Sequence, residues 1–164
     1  MAKLLILGAG EYGKLVKELA SDIYSQIDFL DDKSEIAIGK FSDYRDFVNN
    51  YDNAIVAVGN SVVRMVWITK LLEAGYKVST IISDRAYVSP SASIDIGCVI
   101  EPMTIINNDA RIERGCLISS GAVINHNAVV EEGCHIDCLS IVGAASVVPA
   151  GTHLDYGQVL KRDK

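Results

Sequence analysis

Three glycines near the start of the chain have the spacing that lets a backbone turn hold a phosphate group. Gly8, Gly10 and Gly13 form the pattern G-x-G-x-x-G after an apolar run, Lys3 to Leu7, that predicts a buried strand. The residues that follow, Lys14 to Ala20, predict a helix. In this order the glycines let backbone amides approach a diphosphate, and the helix N-terminus favours its charge. The motif does not distinguish NAD from another nucleotide diphosphate, and many α/β turns carry it for packing alone.

Acidic residues follow a second predicted strand, which ends in Phe29-Leu30. Asp31 and Asp32 come directly after it. In nucleotide-binding domains an acidic side chain about this far beyond the glycine motif, roughly 20 residues, binds a ribose hydroxyl. The alternative is that both acids belong to a solvated turn.

A third strand is predicted over residues 53–58 and runs into Gly59 and Asn60. Asn60 is expected either to contact a ligand or to cap the next helix, which is predicted to continue to about Ala74. Arg64 lies one turn into that helix, where it could reach a phosphate or simply be exposed. A last strand is predicted over residues 76–82.

The chain has three histidines, His126, His135 and His153. Imidazole titrates near neutral pH and can remove a proton from an amine or a hydroxyl group. His126 stands at the third position of a six-residue repeat, and the same position three repeats earlier and later is occupied by Asn108 and Ala144. This predicts a place near a corner, exposed or at a subunit contact. His135 and His153 are separated by three repeats and are predicted to stack on one face.

The histidines lie in a second half of the chain that repeats every six residues. The first position of each six is aliphatic from Val88 to Leu160, and the fifth is small from Ala92 to Thr152. A second period, three repeats long, marks one corner with glycine, at Gly97, Gly115, Gly133 and Gly151. Three repeats therefore make one triangular coil, and residues 88–159 predict about four coils, whose strands pair in parallel about 4.8 Å apart.

The cysteines and the composition narrow the class of protein. Cys98, Cys116 and Cys134 fall on one interior column and are predicted to pack as free thiols, with a disulfide or a metal site as the alternative. No run of about 18 apolar residues predicts a membrane span. A strand directly after Met1 leaves no room for a signal peptide, so we expect a reduced, cytoplasmic protein. The formal net charge of −6 disfavours nucleic acid as a partner.

Several of these motifs together resemble the PglD/NeuD family of sugar acyltransferases, over nearly the whole chain up to about Ile136. The matching stretches are Gly8-Ala9-Gly10 with Gly13-Lys14, Phe29-Leu30-Asp31-Asp32, Ala57-Val58-Gly59-Asn60 with Arg64, Val88-Ser89-Pro90-Ser91-Ala92, and Ile118 to His126. The resemblance implies an α/β + β chain. Its residues 1–82 would form a Rossmann-like domain that holds a sugar nucleotide, and residues 83–164 a short left-handed β-helix that trimerises and binds acetyl-CoA between subunits.

The resemblance also implies roles for single residues in a reaction that needs no metal. His126 matches the general base, and His135 and Gly143 match residues at the acyl donor, with the small Ala144 beside them. The sugar-nucleotide contacts would come from the turn and loop residues already described, namely Gly8, Gly10, Gly13, Asp31, Asp32, Gly59, Asn60 and Arg64. The three cations of the tail Leu160-Lys161-Arg162-Asp163-Lys164 could meet the phosphates of the coenzyme.

The chain also departs from the family pattern. Asn127 stands where the family usually has Asp or Glu after the histidine, Glu11-Tyr12 replaces the usual Gly-His, and the family usually has two or more further coils. The leading hypothesis is an acetyltransferase that acts on an amino or hydroxyl group of a nucleotide-linked sugar. A non-catalytic trimeric scaffold or regulator is the alternative, favoured by Asn127 and the short helix. An NAD-dependent oxidoreductase would leave the β-helix unexplained.

Overall fold

The computed structural model describes residues 2–162, and the chain divides into two compact units between Ser79 and Thr80. The N-terminal unit is built on a parallel sheet. Its strands β1 (Lys3–Leu7), β2 (Gln26–Leu30), β3 (Asn53–Val56) and β4 (Lys77–Val78) pair in the order β2-β1-β3-β4. Four consecutive apolar residues of the central strand β1 are fully buried, as expected for a parallel strand covered on both faces.

The helices of this unit are α1 (Glu11–Ala20) and α2 (Ser61–Glu73), with a 3₁₀ helix over Phe41–Phe47. α1 begins three residues earlier than predicted, because Gly10 is its N-cap and the helix starts within the glycine motif. α2 buries Ile68 in the same core as residues of β1 and β3. Among residues 2–162, no helix is long and apolar enough to cross a membrane.

The C-terminal unit is a parallel β-helix of two-residue strands on three faces. Face 1 consists of β5 (Ile81–Ile82), β8 (Val99–Ile100), β11 (Leu117–Ile118), β14 (His135–Ile136) and β17 (His153–Leu154). Face 2 consists of β6 (Tyr87–Val88), β9 (Ile105–Ile106), β12 (Val123–Ile124), β15 (Ile141–Val142) and β18 (Val159–Leu160). Face 3 consists of β7 (Ser93–Ile94), β10 (Arg111–Ile112), β13 (Val129–Val130) and β16 (Val147–Val148).

The predicted coil of three repeats is confirmed, because every strand of this unit pairs in parallel with the strand one coil away. Five, five and four strands on the three faces make four complete coils and two further strands. The helix begins at Ile81, earlier than the predicted start at Val88. The single strand predicted over residues 76–82 is therefore wrong, because β4 and β5 pair in different sheets.

The interior of the β-helix is filled as the repeat predicts. The aliphatic first positions from Ile100 to Val148 and the small fifth positions from Cys98 to Ser146 are at most 2% exposed. Three of these small residues are the cysteines of the predicted interior column, and all are unbridged and buried. Each thiol donates to a carbonyl oxygen in the next coil at 3.1 Å. The cysteines therefore form a packed thiol ladder, without a disulfide.

The corners of the β-helix require a left-handed backbone at every sixth residue, not only at the four predicted glycines. These positions have φ between 53° and 73°, and they are Gly97, Met103, Asp109, Gly115, Gly121, Asn127, Gly133, Leu139, Ala145, Gly151 and Gly157. A side chain in this conformation costs roughly 1–2 kcal/mol. Five of the eleven corners carry one, so packing or function must compensate there.

Candidate functional site

The glycine turn of the N-terminal unit is shaped partly by packing. Gly8 has φ +113°, and a Cβ there would lie 2.6 Å from the carbonyl oxygen of Ala57. A Cβ on Gly13 would collide with the carbonyl oxygen of Gly8. A Cβ on Gly10, by contrast, meets nothing within 4 Å. Two glycines of the motif are therefore fixed by the close approach of strand, turn and helix, and only Gly10 leaves open space.

That open space lies at the N-terminus of α1, where backbone N–H groups face outward. Gly10 offers no side chain to cap the helix, and no side-chain cap hydrogen bond is formed. Such an end binds anions through its free amides and the helix dipole. Glu11 places a carboxylate on the first turn, but it forms a 2.7 Å ion pair with Lys14. The turn can therefore accept a phosphate, with Lys14 offsetting the charge of Glu11.

Asp31 ties the glycine turn to the loop after β2. Its Oδ2 accepts the Ala9 amide at 2.8 Å, and its Oδ1 accepts the amides of Lys33 and Ser34 at 2.9 and 3.1 Å. The Ala9 amide is the main reason why the pKa of the Asp31 carboxyl is lowered, against a partial opposing effect of burial. Asp31 therefore fixes the glycine turn to the loop after β2, and its contact with a ribose remains a prediction.

The remaining predicted ligand residues of this unit follow β2 and β3. Asp32 is exposed and accepts the Phe41 amide at 3.1 Å. Asn60 caps α2, because its Oδ1 accepts the Val63 amide at 3.0 Å. Gly59 is exposed, with open space where a Cβ would be.

Arg64 is fully buried, so of the two alternatives for this residue simple exposure is wrong, and its contact with a phosphate remains a prediction. Its guanidinium donates to the carbonyl oxygens of Val58 and Gly59 at 2.8 and 2.9 Å. Because those carbonyls form the loop after β3, Arg64 holds the backbone of Gly59 from within the core.

The strand order brings these loops together. β1 lies between β2 and β3, so Gly10, Asp31 and Gly59 follow three adjacent strands at the carboxyl edge of the sheet. Ligands of open parallel sheets bind at this edge. The N-terminal unit therefore presents one candidate anion site, made of the α1 N-terminus and the two flanking loops.

His126 lies at the corner between faces 2 and 3 of the β-helix and is exposed. Its amide donates to Asn125 Oδ1 at 2.8 Å, and its carbonyl accepts the Ala145 amide at 2.9 Å. Its imidazole Nδ1 lies 3.1 Å from the side-chain nitrogen of Asn127. Asn127 therefore contacts the imidazole of His126 and also forms the left-handed corner of the coil, with φ 57°. Within residues 2–162, Nε2 of His126 has no hydrogen-bond partner.

The coil that follows His126 carries Ala144 at the position that corresponds to His126, and its backbone N–H is available as a donor. In four of the six-residue repeats, the residue at the third position donates its amide to the side chain of the Asp or Asn directly before it, at 2.7–2.8 Å. The donating residues are Ile96, His126, Cys138 and Tyr156. Gly143 has no side chain to do this for Ala144, which lies one coil beyond His126. The Gly143 amide itself donates to Leu160 at 2.8 Å. Ala144, rather than Gly143, therefore offers its N–H beside His126.

A cavity of about 550 Å³ lies one coil beyond His126, near the C-terminal end of the β-helix. It is lined by Ala145, Ser146, Val147, Leu160, Lys161 and Arg162. Ser146 is only 2% exposed, and its hydroxyl has no partner within residues 2–162. The two cations give the cavity a positive rim. Asp163 and Lys164, which the sequence also places in this tail, lie outside the described residues.

His135 lies on face 1, which is opposite the corner that carries His126. Its Nε2 is 3.1 Å from the Ser119 hydroxyl, and its ring stacks on that of His153 with centroids 4.7 Å apart. The predicted stacking of the two histidines is thus confirmed. One chain therefore does not bring His126 and His135 to a single site.

Sequence comparison finds two family models that together cover most of the chain. Residues 3–71 match the PglD N-terminal domain, and residues 82–163 match the GMPPB C-terminal domain. The two matched ranges lie on either side of the boundary between the sheet unit and the β-helix.

Solved structures give the same picture. The acetyltransferase domain of PglB from Neisseria gonorrhoeae is similar with a TM-score of 0.82 and 26% identity, over 93% of this chain and 85% of that chain. The same domain in complex with acetyl coenzyme A gives a TM-score of 0.58 and 25% identity, over 92% and 94%. Perosamine N-acetyltransferase from Caulobacter crescentus, in complex with CoA and GDP-perosamine, gives 0.62 and 20%, over 93% and 91%. At that identity the likeness shows the fold alone.

Proposed function

Because the chain belongs to the PglD-like family of sugar acetyltransferases, we propose that it transfers an acetyl group from acetyl-CoA to an amino or hydroxyl group of a nucleotide-linked sugar. The observation that carries this proposal is the exposed His126, whose Nδ1 lies 3.1 Å from the side-chain amide of Asn127 and whose counterpart one coil on is Ala144. Nε2 of His126 can act as a base when the Asn127 amide presents its oxygen to Nδ1–H. An acyl transfer to a nucleophile needs a base and an oxyanion donor in this arrangement.

The reaction follows from these two groups. The sugar amine or hydroxyl attacks the thioester carbonyl, and Nε2 of His126 takes its proton as the new C–N or C–O bond forms. The carbonyl oxygen becomes negative and accepts the Ala144 N–H. When the C–S bond breaks, the thiolate of coenzyme A leaves and can take the proton from the imidazolium. The base is thereby restored, and no other reactant is needed.

We propose that the donor binds at the end of the β-helix. We place the thioester beside His126 and the pantetheine arm along the prism edge, past the small residues Gly143 and Ala144. The 550 Å³ cavity would then receive the rest of the coenzyme. Its rim cations, Lys161 and Arg162, would meet the phosphates, and the buried Ser146 hydroxyl offers a further hydrogen bond. PglB, a similar protein, has been solved in complex with acetyl coenzyme A.

The acceptor would be anchored by its diphosphate. We assign this group to the α1 N-terminus at Gly10, with the loops that carry Asp32 and Gly59 on either side. Perosamine N-acetyltransferase, which shares the fold, has been solved with GDP-perosamine. In this chain the amides of α1 supply the local positive character that the net charge of −6 lacks, while Lys14 neutralises the carboxylate of Glu11.

The site is proposed to form between copies of the chain in a left-handed β-helical trimer. His126 and His135 lie on opposite sides of one prism, so both reach one donor only when two copies contribute. Face 2 carries an outward apolar column, made of Tyr87, Ile105, Val123, Ile141 and Val159, and four of these side chains are 38–56% exposed. Such a surface is typical of an interface. Light scattering that shows a stable monomer at micromolar concentration would exclude this assembly.

A thiol-release assay with acetyl-CoA and a panel of UDP- and GDP-amino sugars tests the proposed function. Release of coenzyme A with at least one acceptor is expected, and His126→Ala should lower turnover by about 10² to 10⁴ with little change in sugar binding. A scaffold, favoured by Asn127 and by the short helix, would bind the sugar nucleotide in calorimetry but release no thiol. No binding of acetyl-CoA to the intact assembly, with sugar nucleotide present, would overturn the enzyme assignment.

A further inference from the structure

A cluster of metal-ligating side chains lies on face 1, away from the corner that carries His126. His135 and His153 are paired in register on the adjacent strands β14 and β17, where His135 is partly buried and His153 is exposed. Their rings are parallel to within 2°. Asp137 follows His135 by two residues, and its Oδ2 lies 3.2 Å from Nε2 of His153. One ligand atom from each of the three residues falls within 4.8 Å of the others.

We propose that His135, Asp137 and His153 form a binding site for a divalent transition-metal ion such as Zn²⁺. Two imidazole nitrogens and one carboxylate oxygen are a common donor set for this ion, whose bonds to nitrogen and oxygen are about 2.0–2.2 Å long. Tetrahedral ligand atoms at that bond length are roughly 3.3 Å apart. The pair of Asp137 and His153 already has this spacing at 3.2 Å. His135 has to approach by roughly 1.5 Å and to turn out of its parallel stack on His153, because each nitrogen lone pair lies in the plane of its ring and must point at the ion.

The surroundings of the three ligands favour binding over an incidental surface cluster. Asp137 is only 5% exposed, and its Oδ1 is held by the Cys138 amide at 2.8 Å, so the orientation of the carboxylate is fixed. Groups that orient a ligand in this way raise metal affinity. The Ser119 hydroxyl lies 3.1 Å from Nε2 of His135 and gives way where that nitrogen binds the ion. His153, by contrast, is exposed, which gives the ion an entrance and the third ligand freedom to close.

The consequence of binding follows from the register. β14 and β17 are the last two strands of face 1, so the ion would link the final coil to the coil before it. The final coil has a neighbour on one side only within residues 2–162, and a crosslink there opposes fraying. The metal site shares His135 with the proposed acyl-donor site, whereas none of the proposed steps requires His153 or Asp137.

Calorimetry of untagged, metal-free protein with Zn²⁺ tests the site. One ion per chain is expected, with no heat from Mg²⁺ under the same conditions, because Mg²⁺ prefers oxygen ligands. His153→Ala should weaken Zn²⁺ binding at least about 100-fold, since loss of a ligand costs more than the loss of a group that orients one. Asp137→Asn, which keeps an oxygen for the Cys138 amide, should have a similar effect. His126→Ala is the matched control and should bind Zn²⁺ as the wild type does.

Thermal unfolding gives a second measurement. Saturating Zn²⁺ should raise the unfolding temperature of the wild type and of His126→Ala, because a ligand of the native state stabilises it, but not that of His153→Ala. Equal affinity in the wild type and in both His153→Ala and Asp137→Asn would overturn the proposal. So would retention of binding in those variants together with its loss in Cys138→Ser, because the ion would then be held by a thiol.

Discussion

Replacing Asn127 by Asp should raise the turnover of the proposed acetyl transfer, because a carboxylate beside the proposed base His126 can only accept a hydrogen bond. The contact joins Asn127 Nδ2 and His126 Nδ1 at 3.1 Å. If the amide nitrogen donates, the neutral ring carries its proton on Nε2 and cannot act there as a base. Catalysis requires the flipped amide, whose oxygen accepts from Nδ1–H and leaves Nε2 free. An aspartate can only accept, so it always selects the active tautomer.

The size of the gain follows from the charge and the exposure. A carboxylate about 4 Å from the imidazolium is worth about 1 kcal/mol in bulk water and about 4 kcal/mol near a protein surface from which water is partly excluded. His126 is exposed in the single chain, so the lower part of this range applies. Because each 1.4 kcal/mol corresponds to about a tenfold change in rate, turnover should rise about 5- to 50-fold. The backbone should not resist the change, since Asp, like Asn, tolerates φ 57°.

The assay is thiol release at saturating acetyl-CoA and sugar nucleotide, with two controls. Asn127→Gly keeps the left-handed corner at no steric cost and removes the amide, so it measures what Asn127 contributes. The double variant His126→Ala/Asn127→Asp should show no gain, because the carboxylate acts through the imidazole. An unchanged turnover in Asn127→Asp would refute the reasoning. A gain that persists in the double variant would mean that the introduced carboxylate is itself the base.

The remaining predictions concern the glycine turn, its aspartate and the terminal cations. Gly10→Val should abolish UDP-sugar binding in calorimetry and leave the circular dichroism spectrum unchanged. Gly13→Ala should instead lower the unfolding temperature. Unaltered affinity for the UDP-sugar in Gly10→Val would mean that the turn is purely structural. Asp31→Asn should destabilise the protein by about 1.5–3 kcal/mol at pH 7 in urea unfolding, towards the lower end because the carboxylate is partly exposed. The pKa of Asp31 is lowered in the folded state. The difference in unfolding free energy between the wild type and Asp31→Asn is therefore complete above about pH 4 and should shrink as the pH falls through the lowered pKa. A difference that stays constant down to about pH 2 would contradict this prediction. The double variant Lys161→Gln/Arg162→Gln should weaken acetyl-CoA binding and flatten its salt dependence, and an unchanged salt dependence would place the phosphates elsewhere.

The β-helix could be predicted from the sequence more fully than the sheet domain, because its two periods fix each residue's place. The six-residue period separates inward from outward residues, and the longer period of three repeats gives the register, as the pairing of Leu117 with His135 confirms. The corners were predicted only in part. The glycine column revealed one of them, but Met103, Asp109 and Leu139 adopt the same left-handed backbone with side chains that carry no such signal. A pattern of residue types cannot reveal a conformation that packing imposes on unfavourable residues.

In the sheet domain, a glycine of the motif can be required either by close packing of the backbone or by a ligand, and the sequence does not separate these two reasons. Gly8 and Gly13 are required by carbonyl oxygens that come close, and only Gly10 leaves space for a ligand. Asn60 caps α2, which the sequence had offered as an alternative to ligand binding. Asp31 accepts the amide of Ala9, a role that the predicted alternatives, a ribose contact or a solvated turn, did not include. Arg64 was unpredictable for another reason, because a buried arginine needs carbonyl partners that only the folded loop supplies. A ligand site at this edge is thus built largely from residues that the fold needs anyway.

The histidines show how periodicity leads from sequence to assembly. His126 and His135 are separated by one and a half repeats, which is half of a coil. Half a coil carries the chain from a corner of the triangular prism to the face opposite, as the strand order shows. The resemblance to the PglD/NeuD family would make His126 the base and His135 a contact of the acyl donor, yet one prism cannot bring them to a common thioester. The two requirements are compatible only if the donor lies between copies of the chain, with the corner of one copy facing face 1 of another. A single folded chain should therefore possess the base and the neighbouring amide, and still lack half of its acyl-donor site.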